Sequence, residues 1–280
     1  MSVLFREEAL AWLAALALGV STALSALRLL ADRGRRDADR FCLPARWCAG
    51  AGGYFLLLSL AARGIATRGW PLGSTYEAVL LSAAALALFH ALGTPRRLAA
   101  IGGVCAGLGS LLMVVLALLL TPAGTRMAEL PPPALAGIWF PIHVLASAIG
   151  YGGLLLAGGA GLFRFLGGRG AASSSLASDL EAVAGRAVAW GYPWLTLGMT
   201  TGAVWSWLAW GRYWSWSVKE VLTLLTWGIF TLAFHTRRLE GWRGRPHAAV
   251  LAAGLLALLV TLLAAEGLAR RVVPGVEYLF

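Results

Sequence analysis

LAAIGGVCAGLGSLLMVVLALLL, residues 98–120, runs from end to end without a charged side chain. A helix of about 20 such residues is the length that crosses the hydrocarbon core of a bilayer. Comparable runs recur at roughly 9–30, 41–62, 76–92, 98–120, 143–166, 191–209, 221–239 and 248–269. Together they predict an all-α, polytopic integral membrane helix bundle of about eight transmembrane helices, in one domain over residues 1–280. The third and sixth runs are short, which leaves seven spans as the other count.

Composition agrees with that reading. Of 280 residues, 59% are hydrophobic and 13% charged, about half the charged fraction of a soluble domain. The first run, from about Leu10, is too long for a signal-peptide core and has no clear cleavage site, so it reads as a retained span. The net charge of +10 is scattered through short loops, as membrane orientation requires, and does not point to nucleic acid. Connections after runs one, three, five and seven hold Arg33, Arg35, Arg36, Arg40, Arg96, Arg97, Arg169, Arg186, Arg237, Arg238, Arg243 and Arg245. The other side holds only Arg6, Arg63, Arg68, Arg126, Arg212, Lys219, Arg270 and Arg271. The richer side is expected to be cytoplasmic, which puts both termini outside.

Smaller features fill in the frame. Cys42, Cys48 and Cys105 form no C-x-x-C motif and read as small core residues. G-Y-G-G at 150–153 and A-G-G-A-G at 157–161 should let helices approach closely. S-D-L-E at Ser178–Glu181 is a capping-box signature for a short helix before run six. Pro131, Pro132 and Pro133 prevent the outer loop before run five from being helical throughout.

The segment W-G-R-Y-W-S-W-S-V-K-E, residues 210–220, carries the densest chemistry. Trp205, Trp207, Trp210, Trp214 and Trp216 fall within twelve residues, and the only lysine, Lys219, stands beside Glu220. Indole rings favour the membrane–water boundary, so an aromatic belt is one reading. The other is a shelf for a large planar ligand bearing carboxylates. Haem fits this, with the rings, Tyr213 among them, against its face and Arg212 or Lys219 meeting its propionates. A quinone headgroup fits less fully.

Haem iron needs axial ligands, usually histidine. His143 opens run five at the outer face, and His235 lies in run seven near the inner boundary, about 22 Å from Glu220 by helix rise. A histidine inside a span is a functional candidate by default, with a side chain satisfied by a neighbouring helix as the alternative. His90 ends run three near the inner face. His247, in a basic loop, reads as an interfacial solvated residue. In G-W-P-L-G-S-T-Y-E, residues 69–77, Ser74 or Thr75 can cap run three, with Glu77 in its first turn. Glu266 and Glu277 flank the outer end of the last run. No Ser/His/Asp set, phosphate-cradling loop or zinc spacing stands out, and no catalytic residue is assigned.

The tryptophan segment resembles the signature of the haem-handling membrane proteins that assemble c-type cytochromes, in the CcsA/ResC branch of the two-component cytochrome c synthase. The resemblance runs from about residue 69 to 280, through P-L-G-S-T-Y-E, P-I-H-V, D-L-E, G-Y-P-W-L-T-L-G-M-T-T-G-A-V-W, T-W-G-I-F, F-H-T-R and G-W-R-G-R in order. It implies a multi-pass protein of the bacterial cytoplasmic (inner) membrane that takes haem b as cargo and presents it to apocytochrome c, in the place of the membrane component of a haem lyase. It implies His143 as an external iron ligand, His235 as an inner one, and Trp205, Trp210, Tyr213, Trp214, Trp216, Arg212, Lys219 and Glu220 around the outer haem. A ResB/CcsB-type membrane partner subunit would supply the second inner ligand. The chain departs from the family pattern at three positions. Ser217 replaces an aspartate, Val218 a proline, and Glu277 stands where a second external histidine is expected. The alternative function is a paralogue that kept the fold as a haem- or quinone-associated subunit or scaffold of an electron-transfer complex, or a regulator of haem supply.

Overall fold

A computed structural model describes residues 2–31, 40–120, 137–167 and 174–264. Among these residues the fold is an all-α bundle. Its long helices are α1 (Ser2–Leu30), α2 (Cys42–Thr67), α3 (Thr75–Gly93), α4 (Ala99–Leu120), α5 (Trp139–Leu166), α6 (Ser174–Trp210), α7 (Val218–Thr236) and α8 (Arg245–Leu259), the last running into a π-helical turn, Val260–Ala264. Among the described residues each expected run falls mainly on one helix; residues 265–269 of the last run lie outside them. Pro131, Pro132, Pro133, Arg33, Arg35, Arg36, Arg126, Arg169, Glu266, Arg270, Arg271 and Glu277 lie outside the described residues.

Among the described residues six helices, α1 to α5 and α8, are long and apolar enough to cross a membrane. The other two carry Trp, Tyr and Thr in place of aliphatic residues, and two side-chain hydrogen bonds join them. Tyr192 OH and Thr231 Oγ1 are 2.8 Å apart, and Trp227 Nε1–H donates to Thr196 Oγ1 at 3.0 Å. Helix α6 also corrects the sequence reading. Ser178 was expected to start a separate short helix, but the helix begins at Ser174 and continues without a break through span six. Pro193, which cannot donate its own amide bond, is absorbed within it.

Helix α5 is the centre, packed on α3, α4, α6 and α8. Its glycines permit this. A Cβ at Gly150 would lie 2.6 Å from the Leu195 amide nitrogen, and one at Gly153 2.8 Å from Gly191 Cα, both on α6. On the opposite side, Gly158 and Gly161 would meet Leu255 and Leu251 of α8 at 2.6 and 2.4 Å. Backbone therefore meets backbone, the packing that drives helix association where lipid removes the hydrophobic term.

Helices α1, α2 and α3 share a buried ionic triad. Arg63 was expected in an outer connection. Helix α2 instead extends to Thr67 and places Arg63 inside the bundle at 3% exposure. Its guanidinium donates to Glu7 Oε1 at 2.9 Å and to Glu77 Oε1 at 2.5 Å. Glu77 also completes the expected cap: Ser74 Oγ accepts from the Glu77 amide at 3.3 Å, and Glu77 Oε2 accepts from the Ser74 amide at 3.0 Å. Cys42 and Cys105 are buried and Cys48 half-buried, all as free thiols.

Candidate functional site

The tryptophan loop connects α6 to α7 and is held from both ends. Gly211, at φ +70°, turns the chain out of α6, and its amide donates to the Trp207 carbonyl at 2.9 Å. Ser206 Oγ donates to the Arg212 carbonyl at 2.8 Å, tying the Arg212 backbone down while its side chain stays exposed. At the far end Ser217 caps α7. Its Oγ accepts from the Glu220 amide at 3.3 Å, and Glu220 Oε2 accepts from the Ser217 amide at 2.8 Å. The same carboxylate accepts from the Ser215 amide at 3.0 Å and from Ser215 Oγ at 2.9 Å. Glu220 is thus a clasp, sited where a helix N-terminus favours negative charge.

Between the two clasped serines, Trp216 is held at φ +58°. That conformation costs a residue with a side chain about 1–2 kcal/mol. Its ring is 72% exposed, so ring burial does not offset the cost; the flanking hydrogen bonds do. Backbone strain that displays an exposed ring is a mark of a ligand contact. Trp207 and Tyr213 stack on each other, 4.9 Å apart at 9°, and Trp214 meets Trp216 edge-on at 6.0 Å. Trp210 and Lys219 are exposed on the same end of the bundle. The Trp214 Nε1–H is buried with no acceptor among the described residues, an arrangement that calls for a partner from outside.

Trp205 lies lower, on α6, and supports a histidine rather than the loop. The His143 ring stacks nearly parallel to it, 6.1 Å away at 7°, with Phe140 5.3 Å from its other neighbour position on the indole. His143 Nδ1–H donates to the Gly198 carbonyl at 2.7 Å. A carbonyl can only accept, so Nδ1 carries the proton and Nε2 keeps a free lone pair, the form that binds a metal. The imidazole fits because Gly202 faces it: a Cβ there would lie 2.5 Å from Nδ1. The sequence reading did not single out Gly198 and Gly202; two glycines four apart in G-M-T-T-G were the available signal.

His235 repeats the device at the other end of α7. Its Nδ1–H donates to the Thr231 carbonyl at 2.8 Å, which again leaves Nε2 as the free acceptor. The side chain is exposed, on a stripe with Val221, Leu225, Gly228 and Leu232 that α6 and α8 leave open. The remaining histidines differ. His90 is buried between α3 and α4, and neither ring nitrogen has a partner among the described residues. His247 was expected to be solvated. It is buried at 6%, because Pro246 starts α8 and the next residue packs down on α7, with Nδ1 3.1 Å from Thr236 Oγ1.

The cap makes a direct prediction. Ser217→Ala removes the acceptor for the Glu220 amide and should lower stability by about 1 kcal/mol, whereas Ser217→Asp restores an equivalent cap and should be close to neutral. Thermal unfolding in detergent reads the difference; equal stability of all three forms would show that Glu220 holds the loop without the cap.

Among known proteins, residues 72–269 match the family described as Cytochrome C assembly protein. The chain is 36% identical over 152 residues to the cytochrome c biogenesis protein CcsA of Chlamydomonas reinhardtii, covering 52% of this chain and 43% of that one. It is 41% identical over 97 residues to CcsA of Gloeobacter violaceus, covering 35% and 29%. With CcsA of Synechococcus elongatus the identity is 29% over 245 residues, covering 70% and 75%. The aligned part therefore spans less than half of the first two relatives and three-quarters of the third. The matched region contains the tryptophan loop, His143 and His235.

Proposed function

Because the chain belongs to the cytochrome c assembly family, we propose that it binds haem b as cargo, carries it across the bacterial cytoplasmic membrane and presents it for covalent attachment to apocytochrome c. One observation carries this reading. Two histidines at opposite ends of the bundle, and only those two among the described residues, each donate Nδ1–H to a backbone carbonyl and keep Nε2 for a metal.

The roles follow from position. His143 is the outer ligand, and the rings of Trp210, Tyr213, Trp214 and Trp216 meet the porphyrin face. Arg212 and Lys219 meet its carboxylates. Glu220 acts through the loop, by holding Trp216 in place. His235 is the inner ligand, and its place on the open stripe of α7 supports a second ligand from outside the chain, on a ResB/CcsB-type partner. The thioether bonds form between haem vinyl groups and cysteines of the apocytochrome, so this chain's residues bind and orient rather than react.

The test is the visible spectrum of the purified chain in mild detergent, oxidised and reduced, beside His143→Ala and His235→Ala. The expected result is a Soret band that weakens in each variant. A band lost only with His235→Ala would leave an inner haem without an outer site and favour the paralogue without attachment chemistry. No haem in any preparation would sink the reading.

A further inference from the structure

Where α7 ends and α8 begins, the bundle holds a cavity of about 500 Å³. That is the size of a small-molecule site. Arg237, Arg238, Arg243 and His247 line it on one side, and Val188 of α6 with Phe234 of α7 form part of the apolar wall. No carboxylate lines it among the described residues. Arg237 is fixed by donating to the Gly185 carbonyl at 3.0 Å, and Gly185 must be a glycine there, since a Cβ would lie 2.3 Å from the guanidinium carbon. Arg238 lies over the Phe234 ring at 5.9 Å. Neither Arg238 nor Arg243 has a carboxylate partner among the described side chains.

Helix α8 starts beside this cavity at Gly244, where no side chain caps it, and the Arg164–Glu181 ion pair stands next to that glycine. His235 does not line the cavity, although its ring meets Phe234, which does, edge-on at 5.8 Å.

We propose that this cavity binds the headgroup phosphate of an anionic phospholipid. Three arginines and apolar side chains line one cavity, with Arg238 over the Phe234 ring, at the start of α8, a helix long and apolar enough to cross a bilayer. Basic pockets between transmembrane helices recognise anionic headgroups through this combination. The arginines supply charge-assisted donors to the phosphate oxygens, and the start of the acyl chains lies along Val188 and Phe234. The bound lipid would brace the connection between α7 and α8. The inference is independent of the haem reading, because it needs no haem in the preparation.

The experiment is native mass spectrometry of the full chain in detergent, titrated with phosphatidylglycerol or with phosphatidylcholine of the same acyl chains. One phosphatidylglycerol should bind preferentially, and Arg238→Gln with Arg243→Gln should weaken it roughly tenfold or more. Arg238→Lys with Arg243→Lys should recover part of the loss. Arg96→Gln with Arg97→Gln removes the same charge at exposed positions outside the cavity and should leave binding intact. Equal weakening by both glutamine pairs would reduce the effect to bulk charge and overturn the proposal. So would saturation by inorganic phosphate alone, or one-for-one displacement by haem that depends on Arg238 and Arg243, which would give the cavity to porphyrin carboxylates.

Discussion

Arg63→Ala is expected to destabilise the bundle by about 3–5 kcal/mol, the cost of removing one partner from a buried ionic group. Arg63 neutralises two carboxylates, Glu7 at 1% and Glu77 at 5% exposure. Its bonds to them are 2.9 and 2.5 Å long. Glu7 Oε2 has no other partner among the described residues. Removing the guanidinium leaves two like charges inside transmembrane helices with no water to solvate them. The whole triad is a different matter. Arg63→Met with Glu7→Gln and Glu77→Gln removes charge together with counter-charge, and glutamine can still complete the Ser74 capping box. That triple variant should recover most of the loss. The midpoint of thermal aggregation in detergent, read by size-exclusion chromatography, separates the three forms. An Arg63→Ala protein as stable as the parent would mean that water reaches the triad.

On the proposed reading, Gly202→Ala should remove the outer haem while leaving the inner one. The added Cβ would lie 2.5 Å from His143 Nδ1 and 2.7 Å from Cε1, closer than any real contact. Helix α6 is fixed against α5 through backbone contacts at Gly150 and Gly153, so the imidazole moves rather than the helices. It then loses its bond to Gly198 and with it the tautomer that presents Nε2. Loss of such a supporting hydrogen bond lowers metal affinity about 10–100-fold, while the lost bond itself lowers stability by about 1 kcal/mol. The expected spectrum is that of His143→Ala, in a protein that still folds. Gly159→Ala is the control, since a Cβ there meets nothing within 4 Å. A Gly202→Ala protein with the full parental spectrum would show that His143 does not ligate from this slot.

The apolar runs and their spacing were sufficient for the bundle, because a backbone inside a bilayer must satisfy its own hydrogen bonds and a helix does so within one segment. The α5 glycines announced close packing for a similarly local reason: the absence of a side chain is visible in the sequence. The tryptophan cluster and the two histidines could be picked out as well, since such residues are costly in a membrane and rare without a purpose. Helix limits were less legible. Span six merged with the helix before it, and α2 carried Arg63 inward, because the partners that stabilise those extensions come from other helices.

What the sequence determined by itself is the set of membrane helices, the loop that displays the rings and the residue types available to hold a flat cofactor. The tertiary structure alone decided which nitrogen of His143 stays free, because Gly198 and Gly202 belong to a helix more than fifty residues away in the chain. It also paired Arg63 with carboxylates from two other helices and set the Arg237 guanidinium against the Gly185 carbonyl of α6. Each of these depends on distances between segments remote in sequence, and those distances exist only once the helices pack.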